Sequence, residues 1–293
     1  MFQAKVGRDS ANAGWLLRSA VYYEIPSGMA TTGPEPVCRE LQLTMKHYRS
    51  SILKTAKERV LATHGTGPQK YKAEYLLNGE IVGVRQFDKN GQLELERPMK
   101  NGVLHGTLYS CDDGVVTSAE PFRNGFAHGV AKQWSYDGQL IGTYTMKHGT
   151  GLDLWRCKKT WGNKRVFLAE ARHIKEGKRH GFEWWLNEDQ KSVYDEHHFW
   201  ENLQHSVQRS WNNEGRLRRG YPRYWVNNKQ VTKREYLRAC ANDPNLPPFR
   251  ESDNRPRRKF PSEVLAAMSG GFNRANSFNT ESALGPQRSS VGP

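Results

Sequence analysis

Asn101-Gly102 and Asn124-Gly125 open two nearly identical strings, NGVLHG and NGFAHG, 23 residues apart. No other feature constrains the fold as strongly, because a period of about 20 to 50 residues marks one supersecondary unit copied along a chain. Asn-Gly also stands at Asn78-Gly79; His148-Gly149, Glu176-Gly177 and Glu201-Asn202 continue the series, with steps of 23, 23, 24, 28 and 25 residues. Four positions after the first glycine comes a second, Gly83, Gly106, Gly129 or Gly181; Ser206 replaces it in the last copy and Gly151 arrives early in the fourth.

A second turn signal follows each copy at Asn90-Gly91, Asp113-Gly114, Asp137-Gly138, Asp189-Gln190 and Glu214-Gly215. Asn-Gly and Asp-Gly supply the positive φ that tight hairpin turns demand. Each unit therefore reads turn, strand, turn, strand. Three residues before each first glycine stands an apolar residue, in order Leu76, Met99, Phe122, Met146, Ile174 and Phe199. Leu93, Val116, Leu140 and Leu217 share a second position, and Trp134, Trp185 and Trp211 recur within one residue of register. A hairpin of this length buries too little apolar surface to stand alone, so the copies must stack and share a core.

Composition fits that reading. Only 36% of the 293 residues are hydrophobic and mean hydropathy is −0.83, low for a compact enzyme, while Gly (27), Tyr (12) and Trp (9) suit turn-rich β structure. The chain shows neither the apolar core of a signal peptide nor a run of about 18 apolar residues, so a soluble, cytoplasmic protein is expected. Cys38, Cys111, Cys157 and Cys240 form no CxxC pair and read as reduced and structural. The formal charge is +14, and Val207 to Cys240 holds nine basic against two acidic residues, half of that excess. Such clustering points to an acidic partner surface.

The flanks differ from the repeats. Residues 1–33 read as irregular. Over residues 34–64, Val37, Leu41, Met45, Tyr48, Ile52, Ala56 and Val60 recur at three- and four-residue spacing, which predicts an amphipathic helix capping the first hairpin. Residues 70–220 hold the hairpins. Residues 221–249 predict a strand and a capping helix opened by Thr232 and Glu235, the capping-box spacing, and stopped by Pro244. From 250 to 293 the chain is basic, polar and proline-broken, and is expected to be disordered apart from a helical turn at Ser262 to Met268.

The recurring histidines His105, His128, His180 and His205 invite a metal or catalytic reading, but residues repeated once per unit lie spread along a stack, whereas a metal needs ligands at one point. They are expected to pack turns and bond backbone groups. Asp195-Glu196-His197-His198, with His173, is the one local ligand cluster, and adjacent strand residues point to opposite faces. GxSxG, Walker, HExxH and dinucleotide fingerprints are absent. No catalytic residue, metal, cofactor or small-molecule substrate is therefore expected.

The pattern NGxxHG…W…DGxL…(apolar)xxNG, from Leu76 to Leu217, resembles the MORN-variant repeat of MORN-like proteins and of a bacterial group labelled antitoxin-like. Its glycine and histidine positions match Gly102, Gly106, Gly114, Gly125, Gly129 and Gly138 and the four histidines just named. The resemblance implies an elongated antiparallel sheet of stacked β-hairpins that serves as a binding platform, without catalysis. The expected protein is a mainly β, non-enzymatic scaffold that binds another protein. Its candidate binding residues are Trp134, Trp185, Trp211, Arg216, Arg218, Arg219, Arg223, Tyr224 and Trp225. The alternative is that the basic, aromatic 207–240 stretch binds an anionic surface, nucleic acid or acidic lipid.

Overall fold

A computed structural model describes residues 47–158 and 165–269. Among these described residues, eighteen strands form one antiparallel sheet. The N-terminal part comprises β1 (Lys57–Thr63), β2 (Lys70–Leu77), β3 (Glu80–Phe87), β4 (Leu93–Lys100), β5 (Val103–Leu104), β6 (Gly106–Asp112), β7 (Val115–Arg123), β8 (Phe126–Ala127) and β9 (Gly129–Trp134). β10 (Leu140–Lys147), β11 (Thr150–Lys158), β12 (Val166–Lys175), β13 (Lys178–Leu186), β14 (Val193–Trp200), β15 (Leu203–Gln204), β16 (Ser206–Ser210), β17 (Arg223–Val226) and β18 (Lys229–Val231) complete it. Pairing follows chain order throughout, so the sheet is a meander. β5, β8 and β15 are the first halves of strands interrupted at His105, His128 and His205; β6, β9 and β16 then resume on the same partner.

Glycine and asparagine place the turns. All six predicted tight turns have both central residues at positive φ, for example Asn101 at 52° and Gly102 at 76°, the geometry that matches strand twist in a two-residue hairpin. Asn227-Asn228, at 49° and 65°, makes a seventh between β17 and β18, extending the hairpins past residue 220. At the opposite strand ends, Asp88–Gly91, Ser135–Gly138, Asn187–Gln190 and Asn212–Gly215 form four-residue turns in which the fourth amide donates to the first carbonyl at 2.8–3.1 Å.

Each unit also carries a β-bulge at one fixed place. Glu94, Thr117, Ile141, Ala169 and Tyr194, each seven residues before a tight turn, are skipped by the pairing register. A bulge resets the two-residue alternation. Residues on either side of it then share a core: Val116 with Ala119, and Leu168 with Ala171. Leu76, Met99, Phe122, Met146, Ile174 and Phe199 occupy equivalent places, each opposite the second residue beyond its tight turn.

Two flanking segments depart from expectation. Of the helix predicted over 34–64, residues 34–46 lie outside the described residues, as do 1–33; residues 47–56 are turns and irregular backbone and Lys57–Thr63 is strand β1. The spacing of Tyr48 and Ile52 reflects two separate anchors. The Tyr48 hydroxyl donates to Glu96, and Ile52 packs against Gly83, where a Cβ would lie 2.1 Å from Ile52 Cδ1. The tail, expected to be disordered apart from a helical turn at Ser262 to Met268, has that turn as helix α2 (Ser262–Ser269) and is also ordered from 250 to 261, as a 3₁₀ turn (Glu251–Asn254) and a strap. Phe260 and Val264 are buried in the largest apolar cluster, which offsets the ordering entropy that composition alone suggested could not be recovered. Residues 270–293 lie outside the described residues. Helix α1 (Lys233–Cys240) has the predicted capping box at Thr232 and Glu235. No helix among the described residues is long and apolar enough to cross a membrane.

Candidate interaction surface

Repeated histidines link the turns. His105 Nδ1 accepts the amide of Asn124 at 3.4 Å, His128 Nδ1 that of His148 at 3.2 Å and His205 Nδ1 that of Asn227 at 3.2 Å. Each ring thus satisfies the first amide of the next tight turn. In the irregular fourth copy Thr150 Oγ1 does so for Glu176, at 3.0 Å. His180 instead lies 4.4 Å from the Trp200 ring. Gly106, Gly129 and Gly181 leave room for Pro98, Pro121 and His173 of the preceding strand.

The ligand cluster of the sequence does not converge. Glu196 accepts from Trp184 Nε1 (2.9 Å), Arg209 Nη1 (2.9 Å) and Arg258 Nε (2.5 Å), whereas His197 Nε2 lies 2.9 Å from Asp195. Among the described residues, no three His, Cys, Asp or Glu side chains are grouped to hold a metal. Glu196 has a counterpart 100 residues earlier: Glu96 is also five residues before its tight turn, is fully buried and accepts from Tyr48, Ser50 Oγ (2.9 Å) and Arg85 Nε (2.7 Å). One carboxylate at one repeat position therefore fastens each strap, residues 47–56 at Glu96 and residues 251–269 at Glu196. In the sequence Glu196 stands out only as a possible metal ligand and Glu96 not at all, because the strap partners Tyr48, Ser50 and Arg258 come from outside the repeat.

Two of the candidate binding residues lie under these straps. Trp211 is 1% exposed, donates from Nε1 to the Asn254 carbonyl at 2.7 Å and has Arg258 over its ring. Trp134 is 8% exposed and stacks on His47 at 4.7 Å. Both are core residues, which corrects their assignment to a contact face. Trp185 is half-buried at the edge of His197. Tyr224 packs between Tyr236 and Phe249, Trp225 donates to Gln208 at 3.1 Å, and Arg223 covers Tyr221. Arg216, Arg218 and Arg219 are exposed, whereas Arg209 is buried against Glu196. The aromatic and basic residues of 207–240 thus point different ways, and do not build one stacking platform.

Exposed apolar residues gather elsewhere. Of twelve large apolar side chains exposed among the described residues, nine lie between Leu53 and Tyr136. Val103 and Phe126 hold the same place after successive tight turns, over Gly125 and Gly149. Strand β1 is exposed along its whole length, including Val60 and Leu61, and pairs only with β2 among the described residues. A cleft of about 580 Å³ beside it is lined by Tyr48, Ile52, Leu53, Tyr75 and Arg85. Comparison with protein-family models, curated proteins and solved structures finds no match, so the surface has to be interpreted from its own chemistry.

Proposed function

We propose that the chain is a non-enzymatic scaffold of MORN-variant-like hairpins that binds another protein at the N-terminal end of its sheet. The observation that carries this reading is the gathering of nine of the twelve exposed large apolar side chains between Leu53 and Tyr136, with Val103 and Phe126 at equivalent repeat places, since gathered exposed apolar surface marks interaction sites. Val103 and Phe126 hold equivalent places at repeat spacing, and the β1 edge, which pairs only with β2 among the described residues, is a place where a partner strand can add. An antitoxin-like role is a narrower form of the same proposal, in which the partner is a toxin.

The test is retention of a stoichiometric partner from extracts of the source cells. Val103→Asp with Phe126→Asp changes two exposed side chains, so folding should persist while partner retention is lost. Unchanged retention by this folded double variant would overturn the assignment of the surface.

A further inference from the structure

Two basic stretches far apart in sequence meet at the four-residue-turn end of the last hairpins. Pro256 packs against Gly215, the Val193 amide donates to the Pro256 carbonyl at 3.0 Å, and Arg257 bridges Ser192. This contact sets Arg255 and Arg257, the neighbours of Pro256, at the turn that Arg216 follows in sequence. Between residues 255 and 260 burial alternates strictly: Arg255, Arg257 and Lys259 are exposed, while Pro256, Arg258 and Phe260 turn inward to Gly215, to Glu196 and to the core. The inner residues fix the register, and the outer three form a row of cations. The chain bends at Arg255 and Pro256; beyond the bend, alternate residues of extended backbone such as Arg257 and Lys259 lie about 6.6 Å apart, close to the separation of successive phosphates along a nucleic-acid strand.

We propose that Arg255, Arg257 and Lys259, flanked by Arg216, Arg218 and Arg219, form a site for the sugar-phosphate backbone of a single nucleic-acid strand. Of the six, only Arg216 has an ion pair among the described residues, with Glu214 at 3.3 Å on an exposed surface, and Arg218 Nε donates to the Trp211 carbonyl at 3.0 Å. Of the neighbouring aromatics, Trp211 and Tyr236 are buried, Tyr224 packs between Tyr236 and Phe249, and the Tyr221 ring is covered by Arg223. Recognition is therefore by phosphate, independent of sequence. An acidic bilayer is disfavoured because none of these six cations has an exposed large apolar residue beside it in sequence to enter the lipid. This site lies outside the apolar β1–β9 region and stands or falls separately from the protein-binding proposal.

The experiment is fluorescence anisotropy of the full chain with labelled 20-nucleotide single strands of two unrelated sequences, between 50 and 200 mM salt. Similar affinities are expected for both, falling with salt at a log–log slope of about −2 to −4 if three to six phosphates are neutralised. Arg255→Ala with Arg257→Ala and Lys259→Ala should weaken binding at least about tenfold at low salt and flatten the slope by about 2. Lys100→Ala with Lys147→Ala, also exposed and remote from the strap, should leave binding unchanged. Equal loss in both variants, or none in the triple variant, would overturn the proposal. So would tight binding to phosphatidylserine vesicles that the oligonucleotide cannot displace. If the triple variant fails to fold, acetylation of the unaltered protein decides: the bound strand should protect Lys259 and not Lys100, and an unprotected Lys259 refutes the site.

Discussion

The recurring histidines show how far single residues could be read. Their phase in the sequence predicted turn packing, and His105, His128 and His205 do accept turn amides through Nδ1. His198, outside that phase, could not be read because its environment comes from adjacent strands. Its Nδ1 is buried without a hydrogen-bond partner, and its backbone amide donates to Ser206 Oγ at 3.1 Å. Burial holds its pKa down to about 4, and the nearby His180, His205 and His173 add to that effect against the opposing Glu196 carboxylate. The folded state thus keeps His198 neutral over a range in which the unfolded chain, titrating near the usual value of about 6.5, takes up a proton. Its contribution to stability is complete above about pH 6.5 and is lost as the pH falls toward 4, by about 3 kcal/mol. Denaturant unfolding of the parent and of His198→Gln should show this: the variant should have a flatter profile between pH 7 and 4. Parallel profiles would mean that His198 is not the titrating group.

Among the elements, the hairpins were legible and the flanks were not. Asn-Gly and Asp-Gly encode a local requirement, positive φ, so their pairs locate turns without knowledge of the rest of the molecule. Asn227-Asn228 meets the same requirement without glycine and escaped notice. Residues 47–63 carry helix-like spacing, but β1 forms because β2 offers a paired edge, and Tyr48 and Ile52 are held by Glu96 and Gly83; each is a tertiary choice overriding a local pattern. Turn residues that break the local rule should therefore be improvable. Glu176 sits at φ 49°, where asparagine is favoured, so Glu176→Asn should stabilise by about 0.5–1 kcal/mol. Gly102→Ala, at φ 76°, should destabilise by about 1–2 kcal/mol. Thermal melts of the two variants should shift in opposite directions, and equal shifts would show that turn conformation is not what limits these hairpins.

Over the described sheet, contacts run between successive strands, and most elements touch only their chain neighbours, as in repeat arrays whose stability is a sum of local terms. The two straps add the long-range connections: residues 47–56 fasten to Glu96 and residues 251–269 to Glu196, without sharing an anchor. Removing one strap should therefore weaken one end of the sheet and spare the other. A chain ending at Asp253 loses Arg258, Phe260 and Val264, which leaves Glu196 with only Arg209 and Trp184 and uncovers the buried Trp211. Glu196 keeps Arg209 as a counter-ion, so the larger cost is the apolar area lost with Phe260 and Val264, about 1.5–3 kcal/mol for each side chain. Hydrogen exchange read by mass spectrometry should then show β12 to β16 losing protection while β2 to β7 retain theirs, because Glu96, Tyr48 and Ile52 are untouched. Uniform loss across all strands would instead make the sheet one cooperative unit, and would show that coupling between neighbouring hairpins outweighs the local anchoring of the straps.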